Sequence, residues 1–134
     1  MNPPSVDIKD MLESYFGSSS SEEIELYPIF IGKEPALPVN CISLFDTVGW
    51  APQLNYDRDE KYERPSLQVR VTSVSYEQGW EIVNAIKDKL HGRAHETWNG
   101  VFYALIKCVN GPAMMDFDKN QRVRFICNFD IQRR

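Results

Sequence analysis

Three cysteines, Cys41, Cys108 and Cys127, with no C-x-x-C pair among them, supply neither a disulfide framework nor the spacing of a zinc site. Each lies in an apolar run, so the expectation is three reduced thiols packed as small hydrophobes in a reducing compartment. Long apolar runs are missing too. None approaches the ~18 residues that cross a bilayer, which excludes an integral helical membrane protein. The opening Met1-Asn2-Pro3-Pro4-Ser5 lacks the basic and apolar segments of a secretory signal, so none is expected. Positive charge is in deficit, 15 basic against 19 acidic residues for a net charge of −4. That argues against a general nucleic-acid binder, which must neutralise many phosphates. Internal repeats and low-complexity tracts are absent as well.

Motifs of catalysis are equally scarce. G-x-S-x-G, G-x-x-x-x-G-K and a strand-following G-x-G-x-x-G do not occur. His91 and His95 stand four apart, but Gly92 between them ends the helix that would align them on one metal. Asp116, Asp118 and Asn120 imitate the start of a calcium loop. Gln121 then stands where that loop needs glycine, and Cys127 where it needs a bidentate glutamate. The expectation is a protein without catalytic residues, metal or cofactor.

What is present is an ordinary globular composition, 43% hydrophobic and 25% charged over 134 residues, enough for a single domain spanning 1–134. Ile8, Met11, Leu12 and Tyr15 make one helical stripe behind a Ser5 cap, ending at Gly17. Strands are expected at Ile24–Ile31, held to an edge by Pro28, and at Val39–Phe45. Gly49–Pro65 reads as a long connection, and Leu67, Val69 and Val71 alternate with polar residues as a third strand. Ser75 and Gln78 form a capping box ahead of the stripe Val83, Ile86, Leu90, which Gly92 closes. Strands at Val101–Val109 and Val123–Ile131 follow, with apolar residues on both faces in places. The order α-β-β-β-α-β-β gives an α+β fold: one mainly antiparallel five-stranded sheet with two helices packed on it.

Two stretches look adhesive. Trp50, Tyr56, Arg58 and Tyr62 lie in the long connection, and Met114, Met115 and Phe117 between the last two strands. Aromatic residues and Met are enriched in interface cores. Charge is also polarised. Residues 1–30 carry Lys9 against six carboxylates, whereas Arg122, Arg124, Arg133 and Arg134 face only Asp130 at the other end. Such complementary poles can orient one copy against the next.

The segment Tyr62-Glu63-Arg64-Pro65-Ser66-Leu67-Gln68-Val69-Arg70-Val71, followed by Ser75-Tyr76 and the second helix, resembles the bacteriophage minor capsid proteins related to tail terminators. Ile42-Ser43-Leu44-Phe45-Asp46-Thr47-Val48-Gly49 is similar to that family's strand ending in an aspartate and a glycine turn. The resemblance implies a structural virion protein of a long-tailed phage neck, assembled in the host cytoplasm. It implies a homohexameric ring that ends the tail tube and joins it to the head connector. It further implies that genome DNA passes through the lumen without sequence-specific binding and that no membrane is involved. A head-completion stopper or adaptor is the alternative within the neck. A small α+β enzyme or ligand-binding domain is the alternative outside it.

Overall fold

The structure is a computed structural model, and it describes residues 2–18, 27–37, 39–54 and 61–134. Helix α1 (Pro4–Ser18) leads into strands β1 (Ile29–Ile31), β2 (Cys41–Leu54) and β3 (Lys61–Ser73). Helix α2 (Tyr76–Leu90) follows, then β4 (Glu96–Trp98), β5 (Val101–Phe117) and β6 (Val123–Arg133). All the strands join one sheet in the order β1-β2-β3-β6-β5-β4. β1 runs parallel to β2, and every other neighbouring pair is antiparallel. The α+β class agrees with expectation, but the sheet is six-stranded and mixed rather than five-stranded. The additional strand, β4, is a three-residue piece turned back onto β5 by Asn99 and Gly100, both at positive φ.

The core lies between the helices and one face of the sheet. Along β6, Val123, Phe125, Cys127, Phe129 and Ile131 are buried, while the alternate residues point to the other face. Leu67, Val69 and Val71 of β3 join them, with Ile8, Met11 and Leu12 of α1 and Val83, Ile86 and Leu90 of α2. β1 occupies a sheet edge, as Pro28 requires, and the Pro28 carbonyl accepts from Ile42 N at 2.9 Å. Of the expected first strand, residues 24–26 lie outside the described residues.

The helix starts are built differently from the sequence reading. α1 begins at Pro4, a residue suited to the first helical position, so Ser5 is inside the helix. Its cap comes from β2: Asp46 accepts from Ser5 N at 3.0 Å and from Ser5 Oγ at 2.7 Å. At α2, Ser75 Oγ accepts from Gln78 N at 3.3 Å, the forward half of the box. The return half is missing, because Gln78 Oε1 accepts from the Tyr27 hydroxyl and Ser75 N donates to Ser73 Oγ. Gly92, at φ +86, follows the end of α2 as its spacing suggested.

The largest correction concerns the two expected connections, which are strand for much of their length. β2 runs through Gly49 to Leu54, and β3 starts at Lys61, so the described parts of the expected connection, 49–54 and 61–65, are paired strands of a β-arm. Register shifts between Thr47 and Trp50, and again before Gln53, absorb the breaker residues. A Cβ on Gly49 would lie 2.2 Å from the Arg64 carbonyl oxygen, so this approach of backbones needs glycine. Likewise β5 passes Asn110-Gly111-Pro112 through two register shifts and continues to Phe117, which puts Met114, Met115 and Phe117 on a strand.

Candidate assembly surfaces

The end of the sheet where β6 begins is tightly framed. Asp118 Oδ1 accepts from the backbone N of Asn120 and Arg122, at 2.9 and 2.8 Å, and Oδ2 accepts from Arg122 Nε at 2.7 Å. Arg122 is only 4% exposed. Its Nη1 donates to the carbonyls of Pro35 and Val39, at 3.3 and 3.2 Å, drawing the segment ahead of β2 over the sheet. Glu34 completes the frame, accepting from Arg70 at 2.8 Å, Thr72 at 2.9 Å and Arg124 at 3.3 Å. Arg124 reaches Asp116 through two further bonds, at 2.5 and 2.6 Å.

These contacts set the local charge states. Burial pushes the Glu34 carboxyl up, but the bonds from Arg70 and Thr72 and the charges of Arg124 and Arg70 outweigh it and hold the group low. Burial of Asp118 is likewise overcome by its bonds to Arg122 and the Arg122 charge. Asp116 is held low chiefly by its hydrogen bonds from Arg124. Around this frame Phe117 is 60% exposed, and Leu37, Val74, Tyr76, Trp80 and Met114 are exposed too. Tyr76 and Trp80 rest on Phe125 at ring separations of 5.1 and 5.8 Å. Sequence reading missed them: Trp80 falls off the buried stripe of α2, which marks it, whereas Tyr76, seven residues before Val83, lies in line with that stripe.

The opposite end carries the β-arm. Trp50 is 68% exposed and Val48 97%. The Trp50 indole donates to Asp130 Oδ2 at 3.1 Å, and Asp130 Oδ1 accepts from Ser66 Oγ at 2.7 Å. Beside the indole, on the face away from the helices, Arg64, Leu105, Lys107, Asp130 and Gln132 help line a cavity of about 420 Å3. Half-buried Tyr62 lies with its ring 5.5 Å from the Arg134 guanidinium, which also sits 5.0 Å from the Phe102 ring. Tyr56 and Arg58 lie outside the described residues.

The structure therefore separates the expected contact residues into two groups. β6 contains 11 residues, so at ~3.3 Å per residue its ends are roughly 33 Å apart. Trp50 and Tyr62 belong to one end, and Met114 and Phe117 to the other. The expected charge pair between copies is partly met within one chain. Arg133, almost buried, stands 3.8 Å from Asp7 of α1 and 3.2 Å from Glu63. Asp7 also accepts from the Tyr103 hydroxyl and, at 2.6 Å, from Asn99. Burial, with Asp7 beside it, pushes the Tyr103 hydroxyl well above its ordinary range.

The histidines serve local structure. His91 Nδ1 accepts from Cys108 N at 2.9 Å, and the His95 ring lies 6.1 Å from that of Phe102. Among the described residues no group of three or more His, Cys, Asp or Glu is placed to hold a metal ion. No helix among them is long and apolar enough to cross a membrane.

A family model described as bacteriophage tail terminator protein matches residues 6–133. No curated protein matches by sequence. Among solved structures, a chain of the virion of a native gene transfer agent (GTA) particle is similar in fold, with a TM-score of 0.68 at 12% identity. That likeness covers 98% of this chain and 94% of the other. A second solved chain reaches a TM-score of 0.50 at 14% identity, covering 92% and 95% respectively.

Proposed function

The chain belongs to the bacteriophage tail terminator family, structural virion proteins rather than a known enzyme family, and on that premise we propose that copies of it close into a ring. The ring has six members, ends the tail tube, joins it to the head connector and leaves a lumen for the genome. The observation that carries this reading is the family match itself, which runs from α1 to the end of β6. The geometry supports it. A head-to-tail ring needs two different patches on each subunit, and a joint between tube and connector needs contacts at two ends. The contact surfaces comprise Trp50, Tyr56, Arg58 and Tyr62 at the arm, and Met114, Met115 and Phe117 at the far end. Arg122 and Arg124 stand beside the latter, Arg122 bonded to Asp118 and to the carbonyls of Pro35 and Val39, and Arg124 to Asp116 and Glu34. A net charge of −4 suits a conduit through which DNA slides, because a basic lumen would hold it.

The test is light scattering of the purified protein at two salt levels, with electron microscopy of tail tubes incubated with it. A mass near six times 15.5 kDa, or a ring seen only on tube ends, supports a terminator. Binding to the head connector with no affinity for tube ends would assign it to the stopper or adaptor class instead.

A further inference from the structure

We propose that Cys108 and Cys127 are a disulfide-forming pair, which a low-molecular-weight disulfide such as oxidised glutathione closes into one bond between β5 and β6. The two sulfurs stand 3.4 Å apart, and both cysteines are free thiols. The backbone brings them together. β5 slips register against β6 between Cys108 and Asn110 and again before Ala113, so Cys108 meets Cys127 on a diagonal instead of its register partner Phe129. Gly111, at φ +88, makes the close approach possible, since a Cβ there would lie 3.2 Å from Cys127 Cα and 2.6 Å from the Ile126 carbonyl oxygen. Cys41 is on β2, with β3 between it and β6, and has no part in the pair.

Exposure sets the order of events. Cys108 is half-buried and Cys127 fully buried, so the reagent meets Cys108 first. The Cys108 thiolate attacks one sulfur of the small disulfide, forming a mixed disulfide and releasing one small thiolate, which takes up the proton Cys108 gave. Cys127 then loses its proton, attacks the Cys108 sulfur and expels the second small thiol. Two protein thiols are oxidised to one disulfide, and the small disulfide is reduced to two thiols. Burial, with the Cys108 thiol beside it, pushes the Cys127 thiol far up, which slows the second step. A reducing thiol pool opposes closure through its redox poise, and exposure to an oxidising medium favours it. Closure ties the irregular stretch of β5 to β6 and so steadies the outer half of that hairpin, where Met114 and Phe117 lie. The chemistry stands whether or not the ring reading does.

The experiment treats the full chain with oxidised glutathione and then measures thiol titre and intact mass without reductant. Free thiols are expected to fall from three to one, and the mass to drop by two hydrogens. A single linked peptide should join Cys108 to Cys127, dithiothreitol should reverse it, and the melting midpoint should rise by several degrees while it is closed. C41S should behave alike, with no free thiol left after closure. Three persisting thiols, a lasting glutathione adduct on Cys108, or a cross-link between chains would each overturn the proposal. The native chain alone gives the answer, so the outcome does not hang on whether C108S folds.

Discussion

The two long hairpins of this sheet project from opposite ends and are finished in opposite ways. Where β5 turns into β6, five residues close the chain, and Asp118 with a buried Arg122 binds the turn to itself and to the segment ahead of β2. Where β2 approaches β3, the strands pair through register shifts around Gly49, and they are tied sideways to β6 by the Trp50 indole on Asp130 and by Glu63 on Arg133. Both ends expose large apolar side chains. One end offers them on a charged frame closed around its own turn, the other beside strands tied sideways to β6. A surface braced through its own turn presents a fixed shape to whatever covers it.

The sharpest way to break the contrast is to remove the brace. Arg122→Ala leaves the Asp118 carboxylate and the Pro35 and Val39 carbonyls without their common donor, a loss of about 3 kcal/mol because the charge is buried. Urea unfolding should show it directly. Arg122→Lys should recover only part, since an ammonium lacks the planar fork that serves the carboxylate and the carbonyls together. A variant as stable as the native chain would remove the frame from the account.

The arm should break elsewhere. Gly49→Ala places a methyl against the Arg64 carbonyl and Pro65, and neither is a side chain that can swing aside. A cost of about 1–3 kcal/mol follows from such overpacking. The damage should concentrate in residues 47–66, visible as faster amide exchange there, with protection at the Asp118 turn unchanged. Loss of protection at both ends would mean the hairpins are not independent.

How much of this was readable beforehand divides along the same line. The helix stripes and the strict alternation of β6 were legible because burial acts at a fixed period, and Ile8, Met11 and Leu12 sit where that period puts them. Gly49, Asn110, Gly111 and Pro112 read as breakers because local propensity says so, yet pairing with β3 and β6 carried the strands through by register shifts. The cap of α1 was illegible for another reason: its acceptor, Asp46, is 41 residues away. Trp80 was legible in principle because it stands off the stripe, whereas Tyr76 is in line with Val83 and Leu90 and so reads as core. Arg122, read as part of a charged contact pole, proved to be buried frame.

Acid should weaken the framed end first. Glu34, Asp116 and Asp118 are all held below their ordinary values by Arg70, Arg122 and Arg124. A carboxyl whose folded value is depressed binds fewer protons than its unfolded counterpart, so stability rises with pH through that window. The contribution is complete above the ordinary glutamate value of 4.5 and falls away as pH drops through the depressed folded values. Urea midpoints measured between about pH 6 and about pH 3 should therefore slope downward, and Asp118→Asn should flatten the slope. A variant in the arm should leave it as it is.

The smallest effect on stability is expected at Trp50, a large aromatic side chain left mostly exposed. Trp50 loses one exposed hydrogen bond and little buried area when cut to alanine, so the unfolding free energy should move by no more than ~0.5 kcal/mol. Assembly should respond far more, because a large aromatic side chain covered on docking is the kind that dominates an interface. Joining of tails to heads, scored by particle titre against a matched melting curve, separates the two quantities. A Trp50→Ala, Tyr62→Ala chain that melts like the native one and still forms rings and joins tails would remove the arm from the contact surface. A chain that melts normally and fails to join would show that the indole is held out for a partner, with Asp130 fixing only its direction.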